Sequence, residues 1–260
     1  VSSRKEQKEQ ARQAREAKQQ EMAAADAKRR RLTIIGGVVG LALIAVVVAI
    51  VVSTSSSTKS DSSQATEVNK RYEGIPQKGN VLGEEGAKAV IVEFADLRCP
   101  YCKDFSEGSM PTIVDELIRP GKAKYIFRNL TMLDGASASG TDSTNAAKYA
   151  GATGLQDKMF PFIDLFYLNQ GLENQDYVTE TFLKDIAKQI TGLDPDEAWT
   201  QRNSPQVANL LKKADDQADE LGVQGTPTIY VGRDENSLRK ISVSDLSDPS
   251  AIISAVEALQ

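Results

Sequence analysis

The 260-residue chain contains no histidine, two cysteines and one tryptophan. The missing histidine excludes the Ser-His-Asp and Cys-His nucleophile systems, HExxH zinc chemistry and every His-ligated metal site. Two cysteines cannot staple a chain of this length, but 40% hydrophobic residues can bury an ordinary core without them. Positive charge is also scarce outside one end. Residues 1–31 carry ten Lys/Arg and five Asp/Glu, so against a net charge of −5 for the chain the other residues carry −10. An acidic remainder excludes a nucleic-acid-binding surface, which needs clustered positive charge to displace counterions.

What is present begins with a tail rich in Ala, Glu, Gln, Lys and Arg over 1–31. It has high helix propensity and no apolar face to bury, and reads as a solvated cytoplasmic tail. Leu32–Val52 is 21 residues without a charge. At about 1.5 Å per residue it matches the roughly 30 Å hydrocarbon core of a bilayer, and it is longer than the apolar segment of a cleaved signal peptide. Lys28-Arg29-Arg30-Arg31 precedes the span, while the first basic residue after it is Lys59. The positive-inside rule therefore predicts a single-pass signal-anchor with the N-terminus in the cytoplasm and everything beyond Val52 outside. Gly36 and Gly40 match the spacing of a helix-dimerisation motif, although glycine is common in membrane helices. Residues 53–66 are a Ser/Thr-rich linker that cannot pack a core.

From residue 67 to 260 the punctuation is that of one mixed α/β domain. The apolar, β-branched run 87–95 reads as a buried strand and 123–129 as a second, with a helix between them that Gly108 and Pro111 divide. Strand, helix, strand in this order implies parallel pairing. A helical insertion covers about 135–222. Its clearest stripe joins Phe182, Leu183, Ile186, Ala187 and Ile190, and Asp194-Pro195-Asp196-Glu197 reads as a helix start. Strands at 228–232 and 239–243 and a helix opened by Asp248-Pro249 complete a βαβ, helical block, ββα layout.

Both cysteines lie in Cys99-Pro100-Tyr101-Cys102, directly after the first strand. A zinc site would need further Cys or His ligands that the chain lacks. A structural bridge over three residues would constrain the unfolded chain little. A redox pair fits the context. Cys99 falls at the N-terminus of a helix, where the helix dipole and free N–H groups favour thiolate over thiol. Cys99 is thus expected to be exposed and ionised near neutral pH, with Cys102 shielded one turn in. Gly225-Thr226-Pro227-Thr228 leads into a strand and is a candidate cis-proline loop facing the cysteines. Glu93, six residues before Cys99 within the apolar strand, is either a solvated strand-end acid or, more consistent with its neighbours, a buried carboxylate of raised pKa able to take the proton of Cys102.

The stretches VEFADLRCPYCKDF, KMFPFIDLFYLNQ, FLKDIAKQITGLD and DDQADELGVQGTPTIYVG together resemble DsbA-like thiol:disulfide oxidoreductases of the thioredoxin superfamily, here with a membrane anchor. The resemblance implies a thioredoxin fold with a DsbA-like helical insertion. It implies no cofactor beyond a redox-active Cys99–Cys102 disulfide, with Cys99 attacking and Cys102 resolving. It places Glu93 on the family's buried acid and makes Pro227 cis, with Pro100, Tyr101 and Thr226 meeting the substrate. Substrates would be cysteine-containing exported proteins, recycled through a membrane redox partner that is quinone-linked if the enzyme is an oxidase. Reductase or isomerase activity on the same fold, or a binding or chaperone module, are the alternatives. One departure stands out: strongly oxidising members carry a histidine where this chain has Tyr101, which cannot become cationic. Arg98 is the adjacent candidate for a compensating charge.

Overall fold

The computed structural model describes residues 62–260. The charged tail, the apolar span 32–52 and the linker up to residue 61 lie outside the described residues. Among the described residues no helix is long and apolar enough to cross a membrane.

The domain begins earlier than residue 67. Helix α1, Ser62–Tyr72, takes in the last five residues of the expected linker. Its composition is polar, yet Ala65, Val68 and Tyr72 recur on one face and are buried, which is what ties it down. A short hairpin, β1 (Gln77–Lys78) and β2 (Val81–Leu82), follows; two-residue strands leave no readable period. Then come β3 (Ala89–Ala95), α2 (Pro100–Gly108), α3 (Met110–Ile113) with a π-helical turn over Val114–Ile118, and β4 (Ala123–Asn129). The helix divides after Gly108 as predicted, and Pro111 opens the second segment. A Cβ on Gly108 would lie 2.7 Å from Cα of Ser247, so only glycine lets the segments touch.

The helical insertion comprises α4 (Asp142–Gly154), α5 (Met159–Leu168), α6 (Glu180–Ala187) and α7 (Pro195–Gln201), and leads into α8 (Pro205–Leu221). Asp194 caps α7 as its sequence suggests, accepting from the N–H groups of Asp196 and Glu197. α4 approaches α8 through small residues; a Cβ on Gly151 would come within 2.9 Å of Val207. Every residue of α5 except Leu168 is buried, as expected of a helix that is apolar on nearly all sides. Strands β5 (Thr228–Gly232) and β6 (Arg239–Ile241) and helix α9 (Ser250–Glu257) close the chain.

The sheet runs β1-β2-β4-β3-β5-β6, with β3 and β4 parallel and the other pairs antiparallel. All seven residues of central β3 are buried, because both faces are covered. On one side Ala214 and Ala218 of α8 pack on Val90, Val92, Phe94, Ile126 and Tyr230. On the other, α2, α3, α5 and α9 form the main core with Ile91, Tyr125, Phe127 and Ile229. Glu93 points into this second, larger core.

Candidate active site

β3 ends in a tightly held turn. The backbone N–H of Cys99 donates to the Asp96 carbonyl at 3.0 Å. The Asp96 carboxylate accepts from the N–H of Arg98, the Ser143 hydroxyl and the N–H of Leu133, each at 2.9 Å. Gln170 donates to the carbonyls of Leu97 and Cys99 at 2.7 and 3.1 Å. With the strand end pinned from several elements, Cys99 becomes the N-cap of α2 and Pro100 its first helical residue, where a missing N–H costs nothing.

Cys99 and Cys102 are unbonded thiols in this structure. The Cys99 pKa falls to about 6, chiefly through a hydrogen bond from Cys102. The Thr226 side chain and the N–H groups of Cys102 and Tyr101 help, against the upward push of burial. Those two N–H groups are the open end of α2, the feature expected to favour thiolate. The surroundings differ from expectation in one respect. Cys99 is only 5% exposed, because its Sγ lies against the cis-proline loop and donates to the Thr226 carbonyl at 3.3 Å. Cys102 is fully buried, and its pKa is pushed well above the free value by burial first, then by its hydrogen bond to Cys99 and the charges of Glu93 and Cys99.

Glu93 is 3% exposed, so the solvated strand-end alternative falls away. Tyr125 donates to its Oε2 at 2.5 Å, while Oε1 has no hydrogen-bond partner among the described residues. Burial raises its pKa to about 8 against the pull of Tyr125, with the charges of Asp164 and Cys99 adding to the rise. The Thr226–Pro227 bond is cis. Pro227 and Thr228 line a groove that continues along Ile241, Val243 and Leu246. Pro100 and Tyr101, next to Cys99 in the chain, lie on the surface, Tyr101 at 63% exposed.

The structure thus brings all seven predicted site residues to one place. It does not bring Arg98. That side chain is buried, stacks 5.7 Å from the Tyr177 ring centroid, and donates to Leu133 O, Ser137 Oγ, Glu173 O and Gln175 O. The guanidinium satisfies carbonyls of two loops and supplies no compensating charge to Cys99. Sequence reasoning missed Asp164, Tyr125 and Gln170. Asp164 did leave a signal, as the only acid in the apolar run of α5.

Residues 76–248 match the family model described as Thioredoxin. The probable disulfide bond formation protein D of Bacillus cereus is 31% identical over 153 residues, covering 58% of this chain and 68% of that protein. Disulfide bond formation protein D of Bacillus subtilis is 29% identical over 174 residues, covering 65% and 76%. Among solved structures, oxidised BdbD from Bacillus subtilis superposes with a TM-score of 0.58 at 27% identity, over 71% of this chain and 96% of that one. The thiol-disulfide exchange protein alpha-DsbA2 from Wolbachia pipientis gives a TM-score of 0.53 at 26% identity, over 76% and 95%.

Proposed function

Because this chain belongs to the thioredoxin family, as a DsbA-like thiol:disulfide oxidoreductase, we propose that Cys99 and Cys102 are its redox pair and that it forms disulfides in exported proteins outside the cytoplasm. The observation that carries this reading is the contrast between the two sulfurs: an acidic Cys99 at the open end of α2 against the cis-proline loop, and a buried, basic Cys102 behind it.

In the oxidising direction a substrate thiolate attacks Sγ of Cys99 in the Cys99–Cys102 disulfide. The S–S bond breaks, its electron pair leaves on Cys102, and Glu93 supplies the proton that neutralises that sulfur. A second substrate thiolate attacks the substrate sulfur of the mixed disulfide and releases Cys99 as a thiolate, a good leaving group at a pKa of about 6. The substrate loses two electrons and the pair gains them, so no further cofactor is required. Pro227, Thr226, Pro100 and Tyr101 form the rim that receives the extended substrate segment. The oxidase direction is favoured because disulfides persist outside the cytoplasm. An oxidase then needs a membrane partner, quinone-linked, to take its electrons.

The test is adduct trapping. Cys102→Ser is expected to accumulate dithiothreitol-sensitive adducts with exported proteins and Cys99→Ser few or none, while Glu93→Gln slows the release of an adduct by Cys102, whose proton Glu93 exchanges, without slowing attack of the Cys99 thiolate on a substrate disulfide. Equal adducts at either cysteine, or disulfide formation sustained by Cys99→Ser, would refute the enzyme mechanism and favour a binding module.

The membrane part of the reading rests on the basic cluster before 32–52. External protease on intact cells is expected to remove residues 67–260 and spare the tail. Full protection of the domain in right-side-out vesicles would reverse the orientation.

A further inference from the structure

Glu93 does not stand alone in the interior. It borders a cavity of about 10 Å³, the size of a single water, and Asp164 of α5 lines the same cavity with Tyr72, Ser106, Tyr125 and Tyr167. Asp164 is 4% exposed and receives three hydrogen bonds. Arg71 and the Tyr72 hydroxyl donate to Oδ2 at 2.6 and 2.8 Å, and the Ser106 hydroxyl donates to Oδ1 at 2.9 Å. Every partner is oriented as a donor, the pattern that holds a carboxyl as the anion even though burial pushes its pKa up. Arg71, on α1, keeps its side chain 19% exposed and links this anion to the surface. Ser106 lies one helical turn beyond Cys102 on α2.

The ionisable groups facing Glu93 come from four sides. Cys99 caps α2 and Cys102 lies in it, Tyr125 is on β4, Asp164 and Tyr167 on α5, and Tyr72 with Arg71 behind it on α1; Asp96 directly follows Glu93's own strand. Two carboxylates on one closed cavity cannot both ionise cheaply, and Asp164 holds the donors.

We propose that Asp164, anchored by Arg71, Tyr72 and Ser106, is a positioning residue that adds to burial in holding the proton of Glu93 and so readies it to give that proton to Cys102. This deepens the reading above and rests on it. When Cys102 leaves as a thiolate, the Glu93 proton moves to that sulfur and Glu93 becomes a carboxylate facing Asp164. Repulsion between the two anions then drives Glu93 to recover a proton from solvent, which resets the site. The helical insertion thereby acts on the redox pair through charge as well as by covering it.

The test is the carboxyl titration of Glu93 in the full, reduced chain carrying ¹³C-labelled glutamate, with the resonance identified by its loss in Glu93→Gln. Asp164→Asn removes the negative charge and leaves Arg71 in place, so the midpoint falls by at least about half a unit. An unchanged or higher midpoint overturns the proposal. Asp164→Ser removes the same charge with a smaller polar side chain and gives a second reading should Asp164→Asn fail to fold. It lowers the midpoint likewise, and a rise or no change overturns the proposal. Asp164→Glu keeps the charge and restores the midpoint, a rescue that a merely structural role does not predict. The signal reports the carboxyl itself, so a chain that failed adduct trapping would still yield this titration.

Discussion

Two sulfurs three residues apart, on one turn of one helix, sit in opposite chemical environments. Cys99 is the N-cap of α2, where N–H groups with no intrahelical acceptor converge on its sulfur, and its pKa falls to about 6. Cys102, one turn in, meets the backbone N–H of Asp96 rather than the open helix end. It lies among Glu93, Tyr167 and the apolar core, where charge is costly, and its pKa is pushed far up. Accessibility does not separate them, because Cys99 is only 5% exposed and Cys102 not at all. What separates them is what surrounds each sulfur: hydrogen-bond donors, Cys102 first, point at Cys99, while burial, then the Cys99 hydrogen bond and the Glu93 carboxyl, bear on Cys102. A redox pair needs this asymmetry, since one sulfur must leave readily as a thiolate and the other must keep its proton until the exchange is committed.

The largest expected effect breaks this comparison most directly. In the reduced protein the rate of alkylation at Cys99 should rise with a midpoint near pH 6 and level off above it. At pH 7 Cys102 should lag by at least about 100-fold, because Cys99 is then mostly thiolate while Cys102, its pKa pushed well above the free value, is almost wholly thiol. Mass spectrometry with fragmentation between the two cysteines reads both rates. Equal labelling, or a Cys99 rate still climbing above pH 8, would mean that α2 does not organise the pair.

A smaller effect sharpens the same comparison from the surface. Tyr101 is 63% exposed beside Cys99 and carries no charge, and Arg98 is committed elsewhere. A cation introduced by Tyr101→His should stabilise the thiolate of the reduced form and raise the reduction potential by at least about 30 mV, a tenfold change in the exchange equilibrium. The starting value should lie between about −270 and −120 mV. Equilibration with glutathione buffers measures both. No change, or a fall, would show that charge near Cys99 does not set the potential.

Much of the fold was legible where a residue pattern has one physical solution. The runs at 123–129 and 228–232 match β4 and β5 residue for residue, because β-branched and aromatic residues bounded by turn residues leave little choice. The start of α7 was legible in its cap, where an Asp, a Pro and two acids each satisfy a need of the first turn. The β1–β2 hairpin and the early start of α1 were not. Two-residue strands carry no period, and the three apolar positions of α1 are diluted by polar neighbours. The strand expected over 239–243 pairs only through Ile241, beyond which the backbone leaves the sheet edge.

The sequence by itself determined the chemistry available to this protein. It holds two thiols at one spacing, one acid within an apolar strand, one proline behind a Gly-Thr turn, and no histidine to assist them. Those are covalent facts, and no packing alters them. Tertiary structure alone decided what each group does. The carbonyl that meets Cys99 belongs to Thr226, 127 residues away. Arg98, next to Cys99 in the chain, turns to loops beyond the strand end, while Asp164, 62 positions after Cys102, shares the Glu93 cavity. Proton affinity depends on water excluded and on charges within a few ångströms, and both are properties of neighbours in space.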